Sequence, residues 1–320
     1  MTPATITAPA RGLCSERTLA RQRYEQLMFA LMGFGALLVV LPMLYIFGAL
    51  FMGGIGKLFE PGFLTQAPSG DSKNGGVAPQ IVGTMALMLG TVVLALPLGI
   101  SAAIYLTEYA RKNAATRAIR MAIVNLAGVP SIVHGLFGLG LFVYFIGAWL
   151  DYFGGYSRMT PPQHVWGRPT LLWGAATLAV LVLPVIITAT EEALKTVPKS
   201  FREGAMGLGA TKWQTIWKVV LPVALPGILT GAILAVGRAA GETAPIILTA
   251  VVLTKTVNPP VPPLYEPVLA LPNHLYYLVT GVPGTTGLQY GTALILLLLV
   301  FGVNLVAIVL RTKLRKARKW

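Results

Sequence analysis

Apolar residues run almost without interruption through six stretches of the chain, at about 27–50, 81–106, 121–149, 171–190, 219–250 and 290–310. Each exceeds the roughly 18 residues that mark a bilayer-crossing helix. A backbone immersed in hydrocarbon must satisfy its own hydrogen bonds, so the pattern predicts an all-α membrane protein with six transmembrane helices. Two connections are dense in Gly and Pro: GGIGKLFEPGFLTQAPSGDSKNGGVAP after the first stretch and NPPVPPLYEPVLALPNH before the sixth. These predict irregular loops or short docking elements, not long helices. No repeat or separable soluble domain interrupts the pattern. The expected organisation is a tail at 1–26, a six-span domain at 27–310 with a large loop at about 191–218, and a basic tail at 311–320.

Composition strengthens this reading. The 320 residues are 55% apolar and 11% charged, with a mean hydropathy of +0.71; a soluble domain carries about 25% charge. Positive charge orients the spans. Of the 25 Lys and Arg residues, 19 fall before span one, between spans two and three, between four and five, or after six. Lys57, Lys73, Arg158, Arg168 and Lys255 lie in the opposite loops, and Arg238 alone falls within a span. The positive-inside rule then predicts cytoplasmic N- and C-termini. It also accounts for the formal charge of +14 without nucleic acid, and makes the RTKLRKARKW tail an anchor beside anionic lipid headgroups. The first span is too long for the core of a cleaved signal peptide and is expected to remain as a helix. Cys14, a single cysteine, excludes an internal disulfide.

Between spans four and five, two helix-start signals follow one another. Ser200 with Glu203 and Thr211 with Gln214 each have capping-box spacing, and Gly209 sits where a left-handed helix stop belongs. A helix of about two turns, a sharp bend and a second helix entering span five are predicted. Phe201, Ala205 and Leu208 form an apolar stripe on the first of these. Such a stripe suits either a groove in a partner protein or the lipid interface.

Two spans contain residues that weaken the helix. In span three, Gly128 and Pro130 weaken the helix ahead of Ser131, and freed backbone groups are tolerated only under protein or beside water, so this segment is expected to face the bundle interior. His134 reads as a packed neutral side chain, with a proton carrier as the alternative. In span five, Arg238 lies about 28 Å beyond Val219 at 1.5 Å per residue, close to mid-bilayer. Glu242 follows one turn on, ahead of Thr243, and Pro245 leaves the carbonyl of Gly241 without its usual donor. Inserting such a cation costs about 2.5–3.5 kcal/mol, so it marks a pathway by default. The pair is either a structural ion pair or an anion site, since a guanidinium fork matches oxyanion geometry.

The sequence Glu203-Gly204-Ala205, three residues, Gly209, nine residues and Val219–Pro222 resembles the loop motif of ABC-importer permeases, E-A-A, three residues, G, nine residues, I-x-L-P. Gly204 replaces an alanine and Val219 an isoleucine. The segments TEEALKTVPKSFREGAMGLGATKW, PSIVHGLFGL and GILTGAILAVGRAAGETAP resemble the phosphate-importing branch of that family, over roughly residues 80–310. The resemblance implies a prokaryotic inner-membrane permease whose coupling helix contains Ser200, Glu203, Gly204, Ala205 and Gly209. It implies a second related permease, two copies of an ATP-binding subunit, a periplasmic or extracellular phosphate-binding protein, phosphate as substrate, and no cofactor or metal. Members of that group often carry an arginine near the end of span four. Thr188 stands at the matching position here, so no role of that arginine transfers.

An external energy source is required, because moving an anion of charge near −2 into a negative-inside cell costs about 2.3 kcal/mol per charge per 100 mV. The chain has no G-x-x-x-x-G-K-[ST] loop, which assigns ATP hydrolysis to another subunit. A permease for another oxyanion and a proton- or sodium-coupled secondary transporter are the alternatives, the latter disfavoured by the scarcity of membrane acids. Paired aspartates, H-E-x-x-H and Ser/His/Asp sets are also missing, which disfavours an intramembrane enzyme.

Overall fold

The computed structural model describes residues 12–68, 75–156, 159, 164–252 and 263–316. Lys73, Arg158 and Lys255, cations of the loops expected opposite the termini, and the last four residues of the basic tail lie outside them. Among the described residues every regular element is helical, and six helical stretches are long and apolar enough to cross a membrane.

The chain divides into two compact units, residues 1–53 and 54–320. The first holds most of one helix, α1 (Gly12–Leu58), which therefore begins well inside the segment expected to be a polar tail. The second contains the end of α1 and eleven further helices. These are α2 (Ala78–Ile104), α3 (Ala114–Ala127), α4 (Ser131–Gly138), α5 (Ala148–Phe153), α6 (Leu171–Lys195), α7 (Lys199–Gly207), α8 (Lys212–Thr215), α9 (Leu221–Gly241), α10 (Ala244–Thr249), α11 (Leu271–Gly281) and α12 (Thr286–Lys316). Wide π-type turns extend α2 to Tyr109 and join α4 to α5 and α8 to α9.

Helix α6 is the axis of the second unit. It buries residues on all sides, from Leu171 to Leu194, against α2, α9 and parts of α3, α4 and α10. Lipid tails give no hydrophobic drive for helix association, so the packing depends on close backbone approach at small residues. Gly227 and Gly231 of α9 face Ala193 and Ala189 of α6, and a Cβ on Gly227 would lie 2.6 Å from that of Ala193. Helix α6 runs five residues past the predicted end of span four, bringing Glu191 into an apolar helix.

Aromatic and polar anchors mark the two ends of α6. At its start, the fully buried carboxylate of Asp151 accepts from the amides of Trp166 and Gly167 at 2.9 and 2.8 Å, tying α5 to the strap before α6. Trp173 stacks on Phe142 and donates to the Trp166 carbonyl. Near its other end, α8 and the wide turn after it expose Trp213 and Trp217, with ring centroids 5.3 Å apart. Tryptophans so placed suit a membrane–water interface. The proline-rich segment before span six contains a surprise: Ala270 starts α11, with Pro272 accepted in its first turn, where no backbone donor is needed.

Candidate functional site: two interrupted spans and a hairpin

The segment expected as span three, 121–149, folds in two pieces, and the stretch long and apolar enough to cross a membrane runs Ser131–Phe153. Midway along helix α3, Arg120 stands beside Glu191, near the end of α6, and Ile123 packs with Leu183 and Ile187. After the break at 128–130, α4 brings Gly138 against Thr177, and Gly147 reaches Trp166. The interrupted helix therefore traverses the length of α6, with its break between the levels of Leu183 and Thr177. The extended backbone of Pro130 (ψ 143°) sets the direction in which α4 restarts.

Span five breaks at the same level. The pattern predicts an apolar helix to residue 250, whereas α9 stops at Gly241, Glu242 is extended (ψ 127°), and α10 restarts after Thr243 with Pro245 in its first turn. The cause is the missing amide of Pro245. Ala235 and Ala239 cluster with Ala179, Val182 and Ile186, while Ala250 packs near Leu171 and Leu178. Arg238 thus stands beside the middle of α6. The two breaks adjoin: a Cβ on Gly135 of α4 would lie 2.9 Å from Pro245 Cα and 3.3 Å from the Ala244 carbonyl.

Arg238 and Glu242 meet despite the break. Nε of Arg238 donates to Oε1 of Glu242 at 3.4 Å, a long hydrogen bond. The two Nη nitrogens have no partner among the described residues. Arg238 shares the exposed face of α9 with Leu234, opposite the buried alanines, and its side chain is 39% exposed while that of Glu242 is 19% exposed. Gly237, the residue before it, faces Asn304 of α12. Interrupted helices of this kind place backbone donors and acceptors at mid-membrane, where a passing ion can use them. Gly128 and Pro130 are exposed and Ser131 is half-buried. His134, one turn on, is buried, with Nδ1 3.3 Å from the Pro130 carbonyl and Nε2 without a partner. Thr188 donates to the Pro184 carbonyl within α6.

The loop after α6 folds as the predicted hairpin, with one correction. Ser200 and Glu203 do not form a capping box: α7 starts at Lys199 behind Pro198, whose extended backbone (ψ 144°) initiates the helix without a side-chain cap. Ser200 is then already inside the first turn and Glu203 lies beyond it, so neither reaches a terminal amide. The other signals operate as expected. Gly209 has φ +87°, Ala210 N–H donates to Ala205 and Gly209 N–H to Met206, which is a Schellman stop. Thr211 and Gln214 cap α8 reciprocally at 3.2 and 2.9 Å. Phe201 and Leu208 are exposed on α7 beside Ala205, and Gly204 has open space around it.

Sequence reasoning missed the ties that hold this hairpin to the bundle. Arg202 donates to Glu108 through Nε and Nη2, and to the carbonyls of Val197 and Leu194. Lys212 donates to the Glu108 carbonyl and stands over the Tyr109 ring. Arg120 pairs with the buried Glu191 at 2.5 Å, and Lys195 lies 3.5 Å from the same carboxylate. The Arg120–Glu191, Arg202–Glu108 and Lys212–Glu108 partners are 71, 94 and 104 residues apart, beyond any local pattern, whereas Lys195 is one helical turn from Glu191. The available signal was Glu108, a lone acid in a basic segment.

A family model described as binding-protein-dependent transport system inner membrane component matches residues 95–319. The chain is 31% identical over 308 residues to the probable ABC transporter permease protein YqgI of Bacillus subtilis, covering 92% of this chain and 98% of that one. It is 30% identical over 320 residues to the phosphate transport system permease protein PstA 1 of Mycobacterium tuberculosis, covering 97% and 98%. Its fold is similar to a chain in the crystal structure of a bacterial ABC transporter involved in the import of the acidic polysaccharide alginate. That likeness has a TM-score of 0.63 at 14% identity and covers 93% of this chain and 99% of the other.

Proposed function

This chain belongs to the family of binding-protein-dependent transport system inner membrane components, and from that premise we propose that it forms half of the pathway of an ATP-driven importer of inorganic phosphate. It is an ABC importer permease. The observation that carries the reading is the guanidinium of Arg238, held by one long bond beside two helix breaks, its two Nη donors without a partner among the described residues. A structural ion pair would engage those donors and bury them. Arg238 in this reading receives the oxyanion bidentately, Glu242 takes the guanidinium back after release, and Thr243 with the Gly128–Pro130–Ser131 break supplies the neighbouring polar wall. The phosphate-named relatives support phosphate over other oxyanions.

The exposed face bearing Arg238 suits closure by a second, related permease. Helix α7, with Ser200, Glu203, Gly204, Ala205 and Gly209, would be the coupling helix, its Phe201–Leu208 stripe seated on one of two ATP-binding subunits. The extracytoplasmic loops would receive phosphate from a binding protein. Both termini, 1–26 and 311–320, would lie in the cytoplasm beside anionic lipid, flanking a permease domain at 27–310. The test is labelled-phosphate uptake into vesicles containing the reconstituted complex, with and without ATP. ATP-dependent uptake that Arg238→Gln abolishes, with the complex still assembled, is expected. Normal uptake by that variant removes the site, and ATP-driven transport of a different anion alone removes phosphate.

A further inference from the structure

At the end of the bundle that carries α7, the turn after α2, the first turn of α3 and the α6–α7 junction enclose an open cavity of about 810 Å³. It is separate from the span breaks. Its walls carry seven cationic side chains and two acidic ones. Three of the cations are engaged, Arg120 and Lys195 with Glu191 and Arg202 with Glu108. The other four, Arg111, Lys112, Arg117 and Lys199, have no hydrogen bond or ion pair among the described residues. With Glu108 committed to Arg202, Glu203 is the one uncommitted acid on the wall.

The backbone adds positive potential. The 14-residue α3 begins at this cavity, and its N-cap Asn113 satisfies the Thr116 amide, leaving other first-turn donors open. A helix start ordinarily attracts acidic side chains. This first turn has none, and Arg117 follows it directly. The Thr107 hydroxyl in the same wall is also without a partner. Cations gathered at a helix N-terminus repel the helix dipole and one another, and an anion from outside the chain relieves both. The volume admits a phosphoryl group with its substituent or water.

We propose that this cavity binds a phosphoryl group, from an anionic lipid headgroup or from free inorganic phosphate, with Arg111, Lys112 and Arg117 as its cationic ligands at the start of α3. The residues are outside the proposed pathway, so this assignment and that of Arg238 fail independently.

The test uses the full transporter complex in nanodiscs, comparing wild type with Arg111→Gln/Lys112→Gln/Arg117→Gln. One arm uses phosphatidylcholine nanodiscs and measures saturable binding of labelled inorganic phosphate. The other adds phosphatidylglycerol and counts, by native mass spectrometry, the lipid retained after extraction. Binding in either arm should weaken roughly tenfold or more in the triple variant and fall as salt rises. Loss in the second arm alone identifies lipid as the source; loss in the first identifies the free anion. Should the triple variant not assemble, Arg117→Gln on its exposed turn should weaken binding roughly threefold or more. Wild-type-like binding in both arms overturns the proposal. So does loss of the ATP-binding subunit with phosphoryl binding unchanged, because the cations would then serve a protein partner.

Discussion

Arg202→Met tests how the hairpin is held to the membrane bundle. The guanidinium is 18% exposed and makes four hydrogen bonds, 3.2 and 2.8 Å to Glu108 Oε1, 2.7 Å to the Val197 carbonyl and 2.8 Å to the Leu194 carbonyl. Methionine preserves much of the packing but leaves the Glu108 carboxylate, 10% exposed, without a cation; Lys212 bonds its main-chain carbonyl instead. Breaking one side of a fully buried pair costs about 3–5 kcal/mol. The adjoining cavity admits water to both groups, which reduces the expected loss to about 2–3 kcal/mol. Glu108→Gln leaves Arg202 its two carbonyl partners and should cost about 1–2 kcal/mol. Because the two side chains share one interaction, the double variant should lose less than the summed single losses, by about 1–2 kcal/mol. Thermal unfolding followed by tryptophan fluorescence reads stability, Trp213 being on α8 and Trp217 on the wide turn that follows it. Limited proteolysis across residues 196–211 reads local release. In the assembled transporter, Arg202→Met should hydrolyse ATP with little uptake, because α7 would move without moving α6. Additive losses, or unchanged unfolding and proteolysis in Arg202→Met, would refute the clamp.

Three further outcomes follow from the geometry. Gly209→Ala should cost about 1–2 kcal/mol through its φ of +87° alone, since nothing lies within 4 Å of the added Cβ, while Gly209→Asn should be nearly silent in the same proteolysis assay. Gly227→Leu should destabilise by about 1–3 kcal/mol or prevent assembly, because its Cβ would stand 2.6 Å from that of Ala193; Gly302→Leu, with open space, is the control in thermal unfolding. His274, on α11 outside the six spans, is 7% exposed with Nε2 unpartnered, and burial lowers its pKa from 6.5 to about 4. Between those values the unfolded chain binds a proton that the folded chain does not, so stability should decline as pH falls from 6.5 to 4 and then level off. The ceiling is about 3 kcal/mol, and His274→Phe should remove this component from the pH dependence of unfolding.

The sequence alone determined the six spans, the weak points in spans three and five, and the Schellman stop and capped helix of the hairpin after α6. These are local properties: runs of apolar residues, prolines without amides and a glycine at positive φ act within one turn of their own position. It also singled out Arg238 and Glu242, because a charge inside an apolar run needs no structure to be conspicuous. Ser200 and Glu203 show the limit of local reading, since Pro198 started the helix first and removed the box they spell.

Only the tertiary structure decided that the two breaks adjoin at one level of α6 and that the two Nη donors of Arg238 have no partner among the described residues. It alone joined Arg202 to Glu108 and Arg120 to Glu191, and gathered four cations, unpaired among the described residues, around the cavity between the start of α3 and α7. Each depends on segments far apart in the chain meeting across an antiparallel bundle. Glycine and alanine contacts set the distances in that bundle, and the charges then paired with whatever the packing brought near.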